Sequence, residues 1–137
     1  MIVTNKLMPS KKQDELLNEL GPDGPVFMIN LVKFKDKAVY EDGRDTNLTG
    51  KEAYRLYGQE VVKMLAKFNA EVVFGTHITE IIIGEVEELW DEMTVVKYAS
   101  RKDLNAMTSS QEWHSINVHR LAGIAGQLNI ESVRPLM

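Results

Sequence analysis

Helical and strand-like patterns of hydrophobic and polar residues follow one another along this chain. Helical stretches begin at a Ser or Thr that is followed three residues later by a side chain able to bond back, a capping box. The spacing predicts helices at about 10–20, 50–68, 101–107 and 110–123. The four boxes are Ser10 with Gln13, Thr49 with Glu52, Ser100 with Asp103, and Ser109 with Glu112.

Strand patterns fill the intervals between these helices. Residues 25–34 are apolar at both odd and even positions, which predicts a central strand covered on both faces. Further β-branched and aromatic runs lie at 70–74 and 80–83, with Gly75 marking a bulge or bend, and at 93–98 and 127–133. Residues 35–49 form a long charged connection, either functional or a plain surface excursion.

After residue 24 the predicted order is strand, helix, strand, strand, helix in two pieces, strand. This is the split βαβ order of a ferredoxin-like α+β fold, βαββαβ, with a four-stranded antiparallel sheet. Such a sheet carries its helices on one face, so a second copy of the chain is the economical cover for the other. We expect residues 1–24 to be an N-terminal extension with a short helix, and 25–137 to be the domain.

Composition narrows the classes of function. The 137 residues suit a single domain, and the absence of cysteine excludes disulfides, zinc–thiolate sites, thiol nucleophiles and iron–sulfur clusters. The net charge is -4 with lysine and arginine dispersed, which argues against nucleic acid as a partner. No apolar run approaches the ~20 residues of a membrane helix, and the N-terminus lacks a signal-peptide pattern. We expect a cytoplasmic protein without a membrane partner.

Seven segments together carry a likeness to a known family, namely residues 25–34, 42–44, 48–58, 83–84, 90–91, 98–101 and 120–123. They resemble a mainly bacterial family known as domain of unknown function 1330, of the dimeric α+β barrel superfamily. The resemblance covers roughly residues 25–134 and departs at Ala99, where family members commonly have proline. It implies a homodimer in which two sheets face each other. The superfamily includes cofactor-free monooxygenases, haem-degrading enzymes, muconolactone isomerases and ligand-sensing domains.

His114 is the first candidate for chemistry. The pattern of the 110–123 helix places it near the middle of the apolar half, against the sheet, whereas His119 is expected to face solvent. An imidazole there is either a core histidine with one hydrogen-bond partner, or a general base or haem ligand in a pocket. The two histidines diverge by about 140° on a helix, so they predict no shared metal ion. The acidic cluster at 85–92 is interpreted as solvated.

The other candidates are polar or aromatic residues on faces expected to be buried. Asn30 interrupts an apolar strand, and its amide needs a partner, either structural or a ligand. Arg120 either clamps an anionic ligand or pairs with a carboxylate. For the aromatic residues, core packing is the alternative to ligand binding. We predict His114 and Asn30 as catalytic and the following as ligand-binding: Tyr54, Tyr57, Tyr98, Trp113 and Arg120.

Three functional hypotheses follow. The first is a homodimer that binds a small organic acid or aromatic metabolite, with oxygenase or isomerase chemistry that needs no cofactor or metal. The second is a non-catalytic, ligand-sensing or regulatory dimer that uses the same pocket. The third is a haem-binding protein with His114 as ligand. The sequence contains no nucleophile elbow, Walker loop or dinucleotide fingerprint that would name a reaction.

Overall fold

The computed structural model describes residues 3–134. Its four strands form one antiparallel sheet in the order β2-β3-β1-β4, as expected for the ferredoxin-like α+β fold. A single 3-10 turn at Ala66–Phe68 follows the second helix. The elements are α1 (Lys11–Leu17), β1 (Val26–Phe34), α2 (Gly50–Leu65), β2 (Ala70–His77), β3 (Glu92–Tyr98), α3 (Arg101–Thr108), α4 (Gln111–Gly123) and β4 (Ile124–Ser132).

Three of the four predicted helix starts are confirmed. The side chains of Ser10, Thr49 and Ser100 each accept a hydrogen bond from the backbone N–H three residues later. The start predicted at Ser109 is wrong by one residue, because Ser109 closes α3 and the Ser110 hydroxyl caps α4. The helix that follows this cap therefore begins one residue later than predicted and ends at the predicted residue, Gly123.

The strand predicted at residues 80–83 does not form. β2 pairs with β3 only as far as His77 opposite Glu92, and the backbone N–H of Ile78 then donates to the Asp91 carbonyl at 2.9 Å. Beyond this closure a longer β2 would have no partner, so β-branched composition alone cannot make a strand there. The register shift in β2 lies between Val72 and Phe74 and not at Gly75. The last strand begins at Ile124, three residues earlier than expected, because α4 passes directly into it.

All four helices pack on one face of the sheet. The core beneath them combines residues of β1 and β3 with residues from each helix, and α2 meets α4 where Gly50 and Gly123 bring the two backbones into contact. A second small cluster holds part of the 35–49 connection against α2 and α4. The buried members of the main core are Val26, Met28, Met64, Leu65, Tyr98, Leu104, Met107 and Trp113.

The opposite face of the sheet is uncovered by any helix of residues 3–134. On β1 it presents Phe27, Ile29 and Leu31, which remain partly exposed, and the paired strands continue the apolar surface. The prediction was that β1 is covered on both faces. Within one copy only its helix-facing side is covered. None of the helices in the described part of the chain is long and apolar enough to cross a membrane.

Candidate functional site

A buried arginine organises the polar residues beneath α4. Arg120 is only 7% exposed, and its Nε donates to Asn117 Oδ1 at 2.6 Å one turn earlier on the helix. Its Nη1 donates to Gln127 Oε1 at 2.7 Å, and Gln127 Nε2 donates to Asn30 Oδ1 at 2.9 Å. We call these four side chains the Arg120 network. It joins α4 to the two adjacent strands β4 and β1. Within it, Gln127 supplies the hydrogen-bond partner that the Asn30 amide was expected to need.

The N-terminal segment closes this network from outside. Arg120 Nη2 donates to the Leu7 carbonyl at 2.8 Å and lies 3.1 Å from Met8 Sδ. The segment is tied down by Lys6, which pairs with Gln127, and by Asn5, whose Oδ1 accepts from Trp90 Nε1 at 2.7 Å. Residues that sequence analysis assigned to an extension therefore supply part of the arginine's surroundings.

Every hydrogen-bond acceptor of Arg120 is neutral. Within residues 3–134 no carboxylate lies within salt-bridge distance of its guanidinium. Burial lowers the pKa of Arg120, and the phenols of Tyr57 and Tyr54 act in the opposite direction. A guanidinium nevertheless stays charged in proteins, so this site holds a buried positive charge to which residues 3–134 supply no counter-ion.

Aromatic residues pack beside the guanidinium. Its central carbon lies 5.7 Å from the centre of the Trp113 ring, and Trp113 Nε1 donates to the Tyr57 hydroxyl at 3.1 Å. The rings of Tyr54 and Tyr57 are 5.6 Å apart, and Tyr54 also contacts Phe34. Five of the seven predicted site residues, namely Asn30, Tyr54, Tyr57, Trp113 and Arg120, thus belong to one connected region.

The phenols of this region are hydrogen-bond donors at neutral pH. Burial is the main cause that raises the pKa of Tyr54, Tyr57 and Tyr98. The hydroxyls of Tyr54 and Tyr98 make no hydrogen bond to another group of residues 3–134. Neither oxygen is a fully buried polar atom without a partner. Tyr98 is otherwise part of the core between β3 and α3.

Two ionisable residues that sequence analysis assigned to no site stand at the end of β2 and β3, and one of them, Glu92, is partly buried although the acidic cluster at 85–92 was expected to be solvated. His77 Nδ1 lies 3.3 Å from Glu92 Oε2, across the last pair of the two strands. The charge of Glu92 contributes to raising the pKa of Tyr54, although burial contributes more. His77 and Glu92 are neighbours because of the register in which β2 pairs with β3. That register cannot be read from the sequence before the ends of the two strands are known.

The location predicted for His114 is wrong. Its side chain is exposed, with its ring edge against Trp113 at a centroid distance of 5.5 Å. The buried positions Trp113, Asn117 and Arg120 follow a narrow stripe of four- and three-residue steps, and His114 lies one step of about 100° beside it. A general base or haem ligand beneath α4 cannot be His114 in this arrangement.

The solvent-facing location predicted for His119 is also wrong. The side chain is half-buried under the 35–49 connection, and its Nδ1 lies 2.7 Å from the Tyr40 hydroxyl. Burial lowers the pKa of His119, assisted by the charge of Arg44, while Glu60 opposes them. The contact spans 79 residues of chain, so no local pattern could have indicated it.

The polar and aromatic side chains beneath α4 are buried or partly buried. Two surface grooves, of about 310 and 450 Å³, lie at the opposite end of the sheet, and neither is lined by the Arg120 network. No three metal-ligating side chains come together anywhere in residues 3–134. The arrangement therefore offers a cationic group with phenolic donors, and reaching it requires movement of the N-terminal segment or of the helices.

Comparison with solved structures extends the likeness over nearly the whole chain. A protein of unknown function from Rhodopseudomonas palustris is 25% identical and has a TM-score of 0.86, with coverage of 96% of this chain and 98% of its own. Its methylated form is 27% identical, with a TM-score of 0.87 and coverage of 97% of each chain. No family model matches the chain, and no curated protein sequence matches it either.

Two more distant structures share the fold alone. A dimeric protein of unknown function with a ferredoxin-like fold, from Bacteroides fragilis, has 11% identity, a TM-score of 0.52 and coverage of 80% of this chain and 96% of its own. A candidate antibiotic biosynthesis monooxygenase from Caulobacter crescentus has 11% identity, a TM-score of 0.54 and coverage of 82% and 92%. The shared feature is the ferredoxin-like architecture on which functional sites differ.

Proposed function

We propose that this protein binds a small organic anion at Arg120. The observation that carries the proposal is the buried guanidinium whose partners are all neutral. Burying an uncompensated charge is costly, and an anionic ligand would remove that cost by supplying the missing counter-charge. A carboxylate or enolate is the matching chemistry, because its charged oxygen accepts a charge-assisted hydrogen bond from Nη2 while the other two nitrogens of the planar guanidinium fork keep their partners.

The ligand would enter by replacing the contacts of the N-terminal segment. The Leu7 carbonyl and the Met8 sulfur contact Nη2 of the guanidinium, whereas Nε and Nη1 donate to side chains of the network. Replacing one neutral carbonyl with a charged oxygen strengthens the hydrogen bond. Asn30 acts as a positioning residue here, since it orients Gln127 and through it Arg120.

The surrounding phenols favour aromatic or enolisable ligands. Tyr54 and Tyr98 have hydroxyl groups without a partner in residues 3–134, and their raised pKa keeps the proton available for donation to a developing oxyanion. Cofactor-free oxygenase or isomerase chemistry would use this donation to stabilise an enolate. A non-catalytic sensor is the competing function, favoured by the closed packing around Arg120, and it would use the same binding step without turnover.

We further propose that the protein is a homodimer, a member of the family of domain of unknown function 1330. The apolar, helix-free face of the sheet supports an association in which two such faces meet, and burying side chains such as Ile29 would stabilise it. The dimeric neighbour from Bacteroides fragilis is consistent with this arrangement. Sedimentation equilibrium of the full chain at several concentrations measures the oligomeric state directly.

Ligand binding is tested by comparing benzoate with its neutral isostere benzamide. We expect benzoate to raise the melting temperature and benzamide to leave it unchanged, because only the carboxylate supplies a counter-charge. Arg120→Lys should abolish the benzoate effect, since it removes the planar fork. Arg101→Lys is the matched control, because Arg101 already forms an ion pair with Glu131 on α3 and β4. Equal effects of the two compounds, or a benzoate effect that persists in Arg120→Lys, would contradict the proposal.

Turnover separates the enzyme from the sensor. Oxygen uptake and product analysis are measured with each compound that raises the melting temperature. Consumption that falls in Tyr54→Phe, with binding retained, supports catalysis. Binding without consumption of any such compound supports the non-catalytic sensor.

A further inference from the structure

The connection between β2 and β3 exposes three consecutive isoleucines. In this 78–91 loop, Ile82 and Ile83 are 88% and 93% exposed and Ile81 is 36% exposed. The base of the loop is firmly held, because the Ile78 N–H donates to the Asp91 carbonyl and the Phe34 N–H donates to Asp91 Oδ2 at 2.8 Å. An anchored loop that holds large apolar side chains in water is typical of an interaction site.

Acidic residues surround this isoleucine tip, which we define as residues 81–83. Glu80 precedes it, and Glu85, Glu87 and Glu88 follow within the same loop, all of them exposed. The loop from 80 to 88 contains no lysine or arginine. A partner for the tip should therefore offer an apolar surface bordered by positive charge.

One surface groove of the same chain has this character. Its volume is about 450 Å³, and its apolar lining is formed by Pro22, Pro25, Phe27 and Val133. Lys97 and Arg134 line it as well, with Asp23 as the acidic member. The Lys97 ammonium lies 5.9 Å from the centre of the Phe27 ring, so positive charge borders the apolar floor.

The tip and the groove lie at opposite ends of the sheet. The tip follows the pair His77–Glu92, beyond the end of β1 at which Val32 pairs with Glu92. The groove lies at the other end, where Phe27 pairs with Lys97 and with Ser132. Because Val32 lies five residue steps along β1 from Phe27, the two features are roughly 17 Å or more apart, too far for contact within one chain.

This placement suits two copies related by a two-fold axis. If the axis lies between two facing sheets and runs perpendicular to the strands, it places the two ends of one sheet opposite the other ends of the second. Each tip then faces the groove of the other copy. We propose that the isoleucine tip of one copy inserts into the 22–27, 97 and 133–134 groove of the second copy, with its glutamates beside Lys97 and Arg134. This deepens the homodimer proposed above and rests on it.

The absence of cysteine makes a direct test simple, since any disulfide comes from introduced residues. Protein carrying Ile82→Cys is mixed with protein carrying Val133→Cys under mild oxidation. We expect a covalent heterodimer on a non-reducing gel, because a disulfide forms only when the two Cα atoms approach within about 7 Å. Ile82→Cys mixed with Val62→Cys is the matched control, since Val62 is at least as accessible as Val133 but lies on α2.

Each outcome bears on the proposal separately from the homodimer. A wild-type dimer by sedimentation with no Ile82–Val133 cross-link would overturn the tip and groove contact and leave the homodimer standing. A cross-link of Ile82→Cys with itself alone would place tip against tip and also overturn it. A wild-type protein that stays monomeric and yields no cross-link contradicts both proposals.

A second measurement does not depend on disulfide geometry. Ile82→Asp puts a charge into the apolar groove and adds to the acidic loop, so we expect the dissociation constant of the dimer to rise about tenfold or more. Because the side chain is exposed in one copy, the variant should keep the far-UV spectrum of the wild type. An unchanged dissociation constant in a wild-type dimer would count against insertion of the tip.

Discussion

The two faces of the sheet carry similar apolar side chains, but one face is buried under the helices and the other is partly exposed to solvent. Along β1, Met28 points under the helices and is 6% exposed, whereas its neighbour Ile29 points the other way and remains partly exposed. Both residues are large and apolar, so their chemistry does not distinguish them. A strand that is apolar at both odd and even positions therefore indicates that both faces of the sheet become buried. It does not indicate whether the same chain or a second copy buries them.

The polar residues separate the two faces further. On the helix-covered side, Asn30 joins the Arg120 network, and Glu92 ends the same face at β3. On the open side, charge lies at the ends of the apolar surface, with Lys33 at one end and Lys97 beside Glu71 at the other. A buried polar group is costly unless it is satisfied, and a ligand or a network can satisfy it. We therefore assign ligand binding to the covered face and association to the open one.

The largest effect is expected from a matched pair of substitutions on β1. Met28→Ala should lower the free energy of unfolding by about 2–5 kcal/mol, because it leaves a cavity in the core beneath the helices. Ile29→Ala should cost less than about 1.5 kcal/mol in the monomer, since its side chain loses little packing there. Urea unfolding at low protein concentration measures both.

Protein concentration then sharpens the comparison. The cost of Ile29→Ala should grow at concentrations at which the wild type is dimeric, because stability then includes association. The cost of Met28→Ala should remain the same when concentration is raised. Equal costs for the two variants at low concentration would mean that the open face is covered within a single chain.

Local patterns were sufficient for the architecture on the covered side. Thr49 with Glu52 is a complete capping box, and the apolar stripe of α2 then fixes which side of the helix meets the core. The order of helices and strands follows from such local signals, and the split βαβ rule converts the order into a sheet. These steps need no knowledge of distant contacts, which is why the fold could be predicted from the sequence.

The candidate site could be predicted only in part. Arg120 and Trp113 were found because an arginine and a tryptophan on a face expected to be buried each need a hydrogen-bond partner or a ligand there. Leu7 and Gln127 were not, because the Leu7 carbonyl meets Arg120 across 113 residues and Gln127 looked like an ordinary strand residue. His114 was misplaced because α4 mixes polar and apolar residues on all sides, so a shift of one position changes which residue is buried.

A smaller effect is expected where two helices close over the covered face. Gly123→Ala should lower the free energy of unfolding by about 1–3 kcal/mol, because the added Cβ would collide with the Gly50 carbonyl and crowd the Tyr54 backbone. Gly58→Ala on α2 is the matched control, since nothing lies within 4 Å of its Cβ position. That variant should stabilise the protein by about 0.5–1 kcal/mol through helix propensity. A Gly123→Ala variant as stable as Gly58→Ala would contradict the contact.

The smallest effect concerns pH and the outer side of α4. Burial lowers the pKa of His119 below its ordinary value of 6.5, so the folded state favours the neutral ring beside Tyr40. The unfolded chain then binds a proton that the folded chain does not, and stability present above pH 6.5 is lost as pH falls through the lowered pKa. His119→Gln should flatten this part of the stability profile, measured by urea unfolding between pH 5.5 and 7.5. Because the ring is partly solvated, the change should be smaller than at either glycine or at Met28, and a profile as steep as that of the wild type would show that His119 is not its source.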